Sequence, residues 1–207
     1  MSREIEFKWE ANSPRAFWQM KCALNQTGAK ICAAENWRIT DVYVDTPAHD
    51  FEKQKIAFRV RNANGKWEAT FKTRTEIVHG KAVRREETVA LNNVKNLSQA
   101  LEKLHRKKSW LGLPTENLIP LFTLKNHRRT CLISDGKMHA ELAFDSCGID
   151  VCGRHVFFKE IELEHKKGPA EIFEKLAAHL TQISGLKQAN ISKVKTALSL
   201  RALWGEK

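Results

Sequence analysis

Residues 160–164 read Glu160-Ile161-Glu162-Leu163-Glu164, with a carboxylate at every second position and an aliphatic residue between each pair. Side chains in a β-strand point alternately to the two faces of the sheet, so this stretch predicts a strand with one acidic face and one apolar face. Same-face neighbours lie about 7 Å apart, and three carboxylates at that spacing repel one another. A divalent cation that prefers oxygen ligands, such as Mg²⁺ or Mn²⁺, would relieve the repulsion.

Similar rows recur along the chain. In Glu4-Ile5-Glu6-Phe7-Lys8 the charged side chains again share one face. Basic residues alternate with apolar ones in other segments, and an arginine guanidinium can bind two phosphate oxygens at once. One such strand alone is typical of a solvated sheet face. Repetition over at least five strands instead favours charged faces that converge on a shared interior. The further rows contain Arg59 and Arg61, Glu68 and Lys72, and Arg84 and Glu86.

The composition indicates one folded domain over residues 1–207. Of the 207 residues, 42% are hydrophobic and 29% are charged, which is sufficient for a sizeable core. The five cysteines form no C-x-x-C pair and the eight histidines form no H-E-x-x-H motif, so neither a disulfide framework nor a zinc site is expected. The opening Met1-Ser2-Arg3-Glu4 carries charge where a signal peptide needs apolar residues, and no run is long enough to cross a membrane. These features predict a cytoplasmic protein.

The net charge of +11 requires an anionic partner or a generally basic surface. The basic residues are scattered singly among acids, which suits a compact anion better than a long duplex. A nucleic-acid-binding module would also need exposed stacking aromatics, and the single tyrosine and strand-embedded phenylalanines offer few. We therefore expect a small anionic ligand and no nucleic-acid partner.

The periodicity predicts about eight strands, mostly joined as hairpins, and about four helices. Asn64-Gly65 is a strong hairpin signal, and Ser13-Pro14 predicts an N-cap followed by a first helical residue. The fold class is therefore α+β, and eight antiparallel strands can close into a barrel with the amphipathic helices packed outside it. Strands are expected over 3–10, 30–46, 56–61, 66–73, 81–91, 122–134, 137–145 and 155–165, and helices over 13–28, 96–108, 168–185 and 190–204.

A series of short motifs between residues 4 and 193 resembles the ordered motifs of the CYTH superfamily, the triphosphate tunnel metalloenzymes. The resemblance implies an eight-stranded tunnel in which acids bind divalent metal and bases bind a triphosphate. The motifs in this chain are Glu4-Ile5-Glu6-Phe7-Lys8, Tyr43-Val44-Asp45-Thr46-Pro47, Phe58-Arg59-Val60-Arg61, Thr70-Phe71-Lys72, Arg84-Arg85-Glu86, Glu141-Leu142-Ala143-Phe144-Asp145, Glu160-Ile161-Glu162-Leu163-Glu164 and Ser192-Lys193.

The resemblance also implies a role for each charged residue. Two divalent ions, Mg²⁺ or Mn²⁺, would be held directly or through water, and Glu4, Glu6 and Lys8 would take part in catalysis. Arg129 and Lys125 are near alternatives to Arg128. The implied metal ligands are Glu4, Glu6, Asp145, Glu160, Glu162 and Glu164; the implied triphosphate ligands are Lys8, Arg59, Arg61, Lys72, Arg84, Arg128 and Lys193; Glu86 and Glu141 would support them.

The resemblance therefore implies a hydrolase of the terminal phosphoanhydride of a triphosphate, and we expect it to act as a monomer or homodimer. Eight acids against seven bases give the interior a net charge of −1, so metal and substrate would enter as a nearly neutral pair. Inorganic tripolyphosphate is the first expected substrate. In vertebrate thiamine triphosphatases a tryptophan stands two residues before the first of the paired arginines, and this chain has Ala57 there. Trp37 and Trp67 are the candidate replacements, although large apolar residues of this kind are more typical of packing.

Three alternatives remain from the sequence. A nucleoside triphosphatase would use the same charged rows. The adenylyl cyclases of the family typically carry a His-Phe pair before the first motif, where this chain has only Met1-Ser2-Arg3, so cyclase activity is less expected. A non-catalytic binder of polyphosphate or nucleotide would gain nothing from the three carboxylates of residues 160–164.

Overall fold

The computed structural model describes residues 2–73 and 76–205. Among these residues there are eleven strands and five helices. The strands are β1 (Ser2–Glu10), β2 (Lys30–Asp45), β3 (Ala57–Ala63), β4 (Lys66–Lys72), β5 (Glu76–Val78), β6 (Lys81–Ala90), β7 (Ser109–Trp110), β8 (Leu113–Pro114), β9 (Ile119–Ser134), β10 (His139–Val151) and β11 (Arg154–Lys167). The helices are α1 (Ala16–Gln26), α2 (Asp50–Lys53), α3 (Leu97–His105), α4 (Ala170–Ser184) and α5 (Lys193–Gly205).

Eight of the strands close into an antiparallel barrel. Their order is β1-β11-β10-β9-β2-β3-β4-β6, and β6 pairs again with β1 to complete the circle. The short β5 lies outside this ring, against the start of β6, on the edge that β4 leaves unpaired. The eight-stranded antiparallel barrel expected from the sequence is therefore confirmed.

Two tight hairpins fix the strand register. Asn64 and Gly65 both have positive φ, 49° and 86°, as a two-residue turn between twisted strands requires. Cys152 and Gly153 repeat that conformation with φ of 49° and 70° and join β10 to β11. The second turn was not predicted, because cysteine is not typical of that position. Both strands are consequently longer than the sequence suggested.

Four helices cover the apolar outer faces of the barrel. Helices α1 and α4 pack over β1, β10 and β11, where Trp9 and Phe173 are fully buried. Helices α2 and α3 cover β2, β3 and β4 in a second cluster around Phe51, Phe58 and Phe71. No helix in the described ranges is both long enough and apolar enough to cross a membrane.

Helix α5 does not follow this pattern. It packs against Tyr43, Leu124 and Ile149, and the first two of these residues also line the interior cavity. Helix α5 therefore occupies one end of the barrel interior. Its apolar residues are spread around the helix instead of forming one stripe: Ala197 is fully buried against the barrel, while Leu203 is 73% exposed.

The boundaries of α1 and α4 test the capping signals in the sequence. The prediction for α1 was wrong in detail: the helix begins at Ala16, and the Ser13 hydroxyl accepts a hydrogen bond from the Arg15 amide in a preceding turn. The prediction for α4 was right, since the helix follows Pro169 and ends at Gly185, which has φ of 65°. Helix α2 and the strands β5, β7 and β8 are too short to show a periodicity.

Candidate functional site

The charged faces of the strands point into the barrel. They surround a cavity of about 490 Å³ to which all eight barrel strands and the start of α5 contribute side chains. Thirteen of the fifteen predicted site residues line it, and Asp145 and Glu160 lie buried beside it in contact with Lys193. The thirteen are Glu4, Glu6, Lys8, Arg59, Arg61, Lys72, Arg84, Glu86, Arg128, Glu141, Glu162, Glu164 and Lys193.

Three of the carboxylates form a compact cluster. Oxygens of Asp145, Glu160 and Glu162 all lie within 4.8 Å of one another, and the three residues are buried. Two ammonium groups enter the cluster from different elements. Lys193 of α5 lies 2.7 Å from Glu162 and 3.0 Å from Asp145, and it also contacts Glu160. Lys8 of β1 contacts Glu162 and lies 3.4 Å from Glu160.

Arg128 closes the cluster from β9. Its Nε and Nη2 donate to the two oxygens of Asp145 at 2.7 Å and 2.6 Å, and Nη2 also contacts Glu162. The alternatives Lys125 and Arg129 lie on the opposite face of β9 and are exposed. The two-point contact between guanidinium and carboxylate fixes the orientation of both groups.

Burial and charge act in opposite directions on the carboxylate pKa values. Burial would raise the pKa of Glu162, but Lys193, Lys8 and Arg128 together hold it well below its usual range. For Glu160, burial prevails over Lys193 and Lys8, so its pKa is raised. Burial alone would lower the pKa of Lys8, yet Glu160, Glu162 and Glu6 outweigh it and raise that pKa. Against the effect of burial, Glu160, Glu162 and Asp145 also raise the pKa of Lys193, so both lysines of the cluster are held in the charged form.

Glu4 and Glu6 belong to a second group of charges. Arg84 donates from Nε and Nη2 to both oxygens of Glu4, at 2.7 Å and 2.8 Å, and its Nη1 lies 2.9 Å from Glu6. Lys8 joins the two groups, since its Nζ lies 3.3 Å from Glu6 and also contacts Glu162. The six implied metal ligands therefore do not form one cluster.

Glu164 lies further along β11, away from the compact cluster. It pairs with Lys166 at 2.9 Å, and the same ammonium lies 3.6 Å from Glu141. Burial raises the pKa of Glu164 despite Lys166. Of the carboxylates implied as ligands, Asp145, Glu160 and Glu162 are the ones that the fold brings close together.

Lys72 lies among cations as well as acids. It pairs with Glu86 at 2.6 Å and lies 3.6 Å from Glu4. Burial, with the nearby charges of Arg59 and Arg84, lowers the pKa of Lys72 to about 8. The charge of this lysine therefore depends on the groups around it.

Asp41 is an interior residue that the sequence analysis missed. It accepts hydrogen bonds from Nε and Nη2 of Arg61 at 2.6 Å and 2.8 Å and lies 3.5 Å from Arg59. Although burial opposes ionisation, Arg61 and Arg59 lower the pKa of Asp41 to about 2. Its position could have been predicted, because it stands two residues before Tyr43 on the same face of β2.

The other missed interior charges are Glu68, noted in the sequence only as a neighbour of Lys72, and Lys166. With Asp41 and Glu68 as further acids and Lys166 as a further base, the interior groups carry a net charge of −2 instead of the expected −1. The near balance of charge in the interior is therefore retained.

The two candidate tryptophans lie on opposite sides of the sheet. Trp67 packs at the edge of the outer cluster around Phe58 and Phe71. Trp37 is the partner of Arg128 across β2 and β9, and directly opposed residues of antiparallel strands point to the same face. Trp37 is therefore on the side of the sheet that faces the interior, and it is half-buried there.

A second group of potential metal ligands, Asp45, His49 and Glu52, has another explanation. Their ligand atoms lie within 4.8 Å of one another. The Asp45 carboxylate, however, accepts hydrogen bonds from three backbone amides, those of Thr46, Phe51 and Glu52, at 2.7–3.0 Å. This carboxylate fixes the backbone around α2, as a side chain does when it caps the first turn of a helix.

Comparison with known proteins extends over almost the whole chain. The sequence profile of the CYTH domain matches residues 2–198. The inorganic triphosphatase of Haemophilus influenzae is 31% identical over 170 residues, which are 81% of this chain and 46% of that protein. The chain thus spans about half the length of this curated relative.

Solved structures share the fold at low identity. HpAC1 of Hippeastrum, described as an adenylyl cyclase candidate with a dominant triphosphatase activity, superposes with a TM-score of 0.70 at 18% identity, covering 96% of each chain. The PH1819 protein of Pyrococcus horikoshii gives 0.66 at 21% identity, with 96% and 99% covered. The mimivirus capping enzyme triphosphatase gives 0.55 at 13%, with 88% and 90% covered.

Proposed function

Because the chain belongs to the CYTH domain family, we propose that it is a divalent-metal-dependent hydrolase that removes the terminal phosphate of inorganic tripolyphosphate. The observation that carries this proposal is the closed barrel interior, in which a buried cluster of three carboxylates directly adjoins rows of inward-facing bases. The activity of the Haemophilus influenzae relative, an inorganic triphosphatase, supports the same assignment.

The bases of the interior suit a short polyanion. They come from strands on all sides of a cavity of about 490 Å³, so they would surround a compact ligand. Arginine and lysine differ in use: the arginines would hold phosphate oxygens at two points, and the lysines would act as point charges. The proposed triphosphate ligands are Lys8, Arg59, Arg61, Lys72, Arg84, Arg128 and Lys193.

Asp145, Glu160 and Glu162 fit a divalent cation, because their all-oxygen donor set suits Mg²⁺ or Mn²⁺. A bound ion would supply charge neutralisation at the phosphate oxygens and polarise the phosphorus for attack. Glu4 and Glu6, with Glu164, would contribute to a second ion. Glu86 and Glu141 would support the bases, since Glu86 already pairs with Lys72.

Substrate binding would exchange the partners of these groups. Lys8, Lys193 and Arg128 now neutralise the carboxylates, and they would turn to phosphate oxygens once the carboxylates hold metal. A triphosphate of about −4 to −5 with two divalent ions adds almost no net charge, so the balance of the interior is kept.

The chain's own residues would then promote hydrolysis by position and charge. The Glu6 carboxylate would accept the proton of the attacking water. Lys8, 3.3 Å from Glu6, would donate to the phosphoryl oxygens as their charge develops. The buried arginines would hold the chain of phosphates in line for attack.

The test is phosphate release from tripolyphosphate, thiamine triphosphate and ATP, each with Mg²⁺, Mn²⁺ or EDTA. We expect the fastest turnover on tripolyphosphate and none in EDTA. Glu6→Gln should lower kcat by at least about 100-fold in a protein that remains folded, although the loss of a buried charge beside Arg84 and Lys8 lowers its melting temperature. Glu116→Gln, at an exposed position, is the matched control. Activity that persists in EDTA, or in Glu6→Gln, would contradict the proposal; cyclic AMP and pyrophosphate from ATP would instead indicate a cyclase.

A second candidate substrate is an organic triphosphate such as thiamine triphosphate or a nucleoside triphosphate. The observation that favours it is Trp37, which shares the interior-facing side of the sheet with Arg128. Its indole could stack on an organic ring while Arg128 holds phosphate. Trp37→Ala should then raise KM for the organic substrate about fivefold and leave KM for tripolyphosphate unchanged. An equal change for both substrates would indicate packing instead.

A further inference from the structure

A second concave surface lies on the outside of the barrel. It is a groove of about 890 Å³ across β2, β9, β10 and β11, bordered by the turn before α1. We call it the outer groove and define it by Arg38, Lys125, His127, His155, Phe157 and Lys159. These residues alternate along their strands with inward-facing ones, so they lie on the solvent side of the sheet, and all six are exposed.

The outer groove lies on the strongly basic exterior. The interior groups carry −2 and the whole chain carries +11, so the rest of the chain carries +13. Arg38, Lys125 and Lys159 bring three fixed positive charges to the groove. Asp150 pairs there with Lys125 at 3.1 Å and with His155. After the charge of Asp150 is subtracted, these groups carry a net positive charge, which complements a polyanion.

The outer groove also presents aromatic rings. Phe157 is 76% exposed, and the His155 ring lies edge-on to it with 4.1 Å between centroids. Both rings lie over Gly148, where an added Cβ would be 3.1 Å from the His155 ring and 3.3 Å from that of Phe157. The sequence suggested that the phenylalanines are embedded in strands, but Phe157 offers its ring to solvent from the middle of a charged sheet face.

We propose that the outer groove binds single-stranded nucleic acid, with a base stacked on Phe157 and phosphates on Arg38, Lys125 and Lys159. Exposed rings among cations on a sheet face are the features that single strands need, because every unpaired base has a free π-face and every linkage has a charge. An acidic peptide would use the cations but not the ring. A duplex keeps its bases stacked on one another. This binding is separate from the hydrolysis proposed for the barrel interior.

The test is fluorescence anisotropy with 5′-hydroxyl, fluorescein-labelled oligo-U and oligo-dT of twelve nucleotides, which have no terminal phosphates for the interior site. We expect wild-type binding that weakens as salt rises, with a log–log slope of about −2 for three phosphate contacts. Phe157→Ala should weaken binding at least about fivefold with the slope unchanged. Lys125→Gln should make the slope shallower by about 0.7, because one phosphate contact is lost.

Matched controls separate the outer groove from other surfaces. Val78→Ala removes a 63%-exposed apolar side chain on β5, and Lys175→Gln removes an exposed charge on α4; both should bind like the wild type. The proposal is overturned if the wild type fails to bind at about 50 mM salt, if Phe157→Ala binds as tightly as the wild type, if Val78→Ala or Lys175→Gln weakens binding as much as Phe157→Ala does, or if a duplex of equal length binds as well.

Discussion

Single residues in the barrel interior hold one another in position by charge. Arg84 is fixed on Glu4, Arg128 on Asp145 and Arg61 on Asp41, each through two hydrogen bonds. Such buried pairs fix the orientation of both side chains but add little to stability, because the cost of desolvating two charges offsets much of their attraction. Removing one partner is costly, since it leaves the other charge buried and uncompensated.

Asp41→Asn tests this at one position. The pKa of Asp41 is depressed from 3.8 to about 2, so its ionised form stabilises the folded protein at pH above about 4 and loses that effect as pH falls towards 2. The substitution should lower the free energy of unfolding by about 2 kcal/mol at pH 7. Urea unfolding of both proteins from pH 7 to pH 3 measures the difference. We expect the difference in unfolding free energy between the two proteins to decrease below pH 4. A difference that stays constant from pH 7 to pH 3 would exclude the charge of Asp41 as its cause.

Strand periodicity sufficed to predict which residues face the interior but not how they pair. Glu160 and Glu162 were assigned to one face from alternation alone, and the fold places both among the bases. The pairing of Arg128 with Asp145 depends on the register between β9 and β10, which a single sequence does not encode in its local pattern. The division of the acids into two groups follows from the same register.

At the scale of elements, glycines set how closely strands and helices approach. Gly168 lies between β11 and α4 with φ of 98°, and an added Cβ would be 2.8 Å from Met138 Cα. The loop between β9 and β10 therefore packs directly against the backbone that starts α4. Gly136 in that same loop has φ of 91°, but an added Cβ there would meet no atom within 4 Å.

This contrast gives a paired prediction. Gly136→Ala should cost only the strain of a left-handed backbone, about 1 kcal/mol. Gly168→Ala adds a clash with backbone and should cost about 2–3 kcal/mol more. Thermal or urea unfolding of the two variants measures the difference. Equal destabilisation would mean that the loop can shift away from the start of α4 without a loss of folding free energy.

The helices show why element placement was harder to predict than element existence. An apolar stripe of leucines indicated α3, and the start signal Gly168-Pro169 with the stop signal Gly185 indicated α4; both helices lie outside the barrel. The sequence also indicated α5, but whether it lies outside the barrel or in its end depends on which strand faces remain unfilled. That is a property of the closed sheet and not of the helix.

For the molecule as a whole, closure of the barrel joins the distant parts of the chain. Strand β1 pairs with β6 on one edge and β11 on the other, so the two outer hydrophobic clusters share one continuous sheet. Because the ring is closed, β1 has a paired neighbour on each side and presents no free strand edge. A single domain over residues 1–207 remains a prediction from the sequence.

One cooperative unfolding transition is the expected consequence. Trp9 and Trp110 belong to different clusters and are both buried, so tryptophan fluorescence reports on the two clusters together. The fluorescence and far-UV circular dichroism midpoints in urea should coincide. Separate midpoints would show that the clusters unfold independently and would contradict the single domain.

The pairing of β1 with β11 has a consequence for how the protein folds during its synthesis. Phe7 lies beside Leu163, so more than 150 residues must be synthesised before the first strand meets this partner. At a synthesis rate of about 5–20 residues per second, the edge of β1 that pairs with β11 remains unpaired for roughly 8–30 s. Translation speed and chaperone supply should therefore influence the yield of this protein more than they would for a helical bundle built from neighbouring segments.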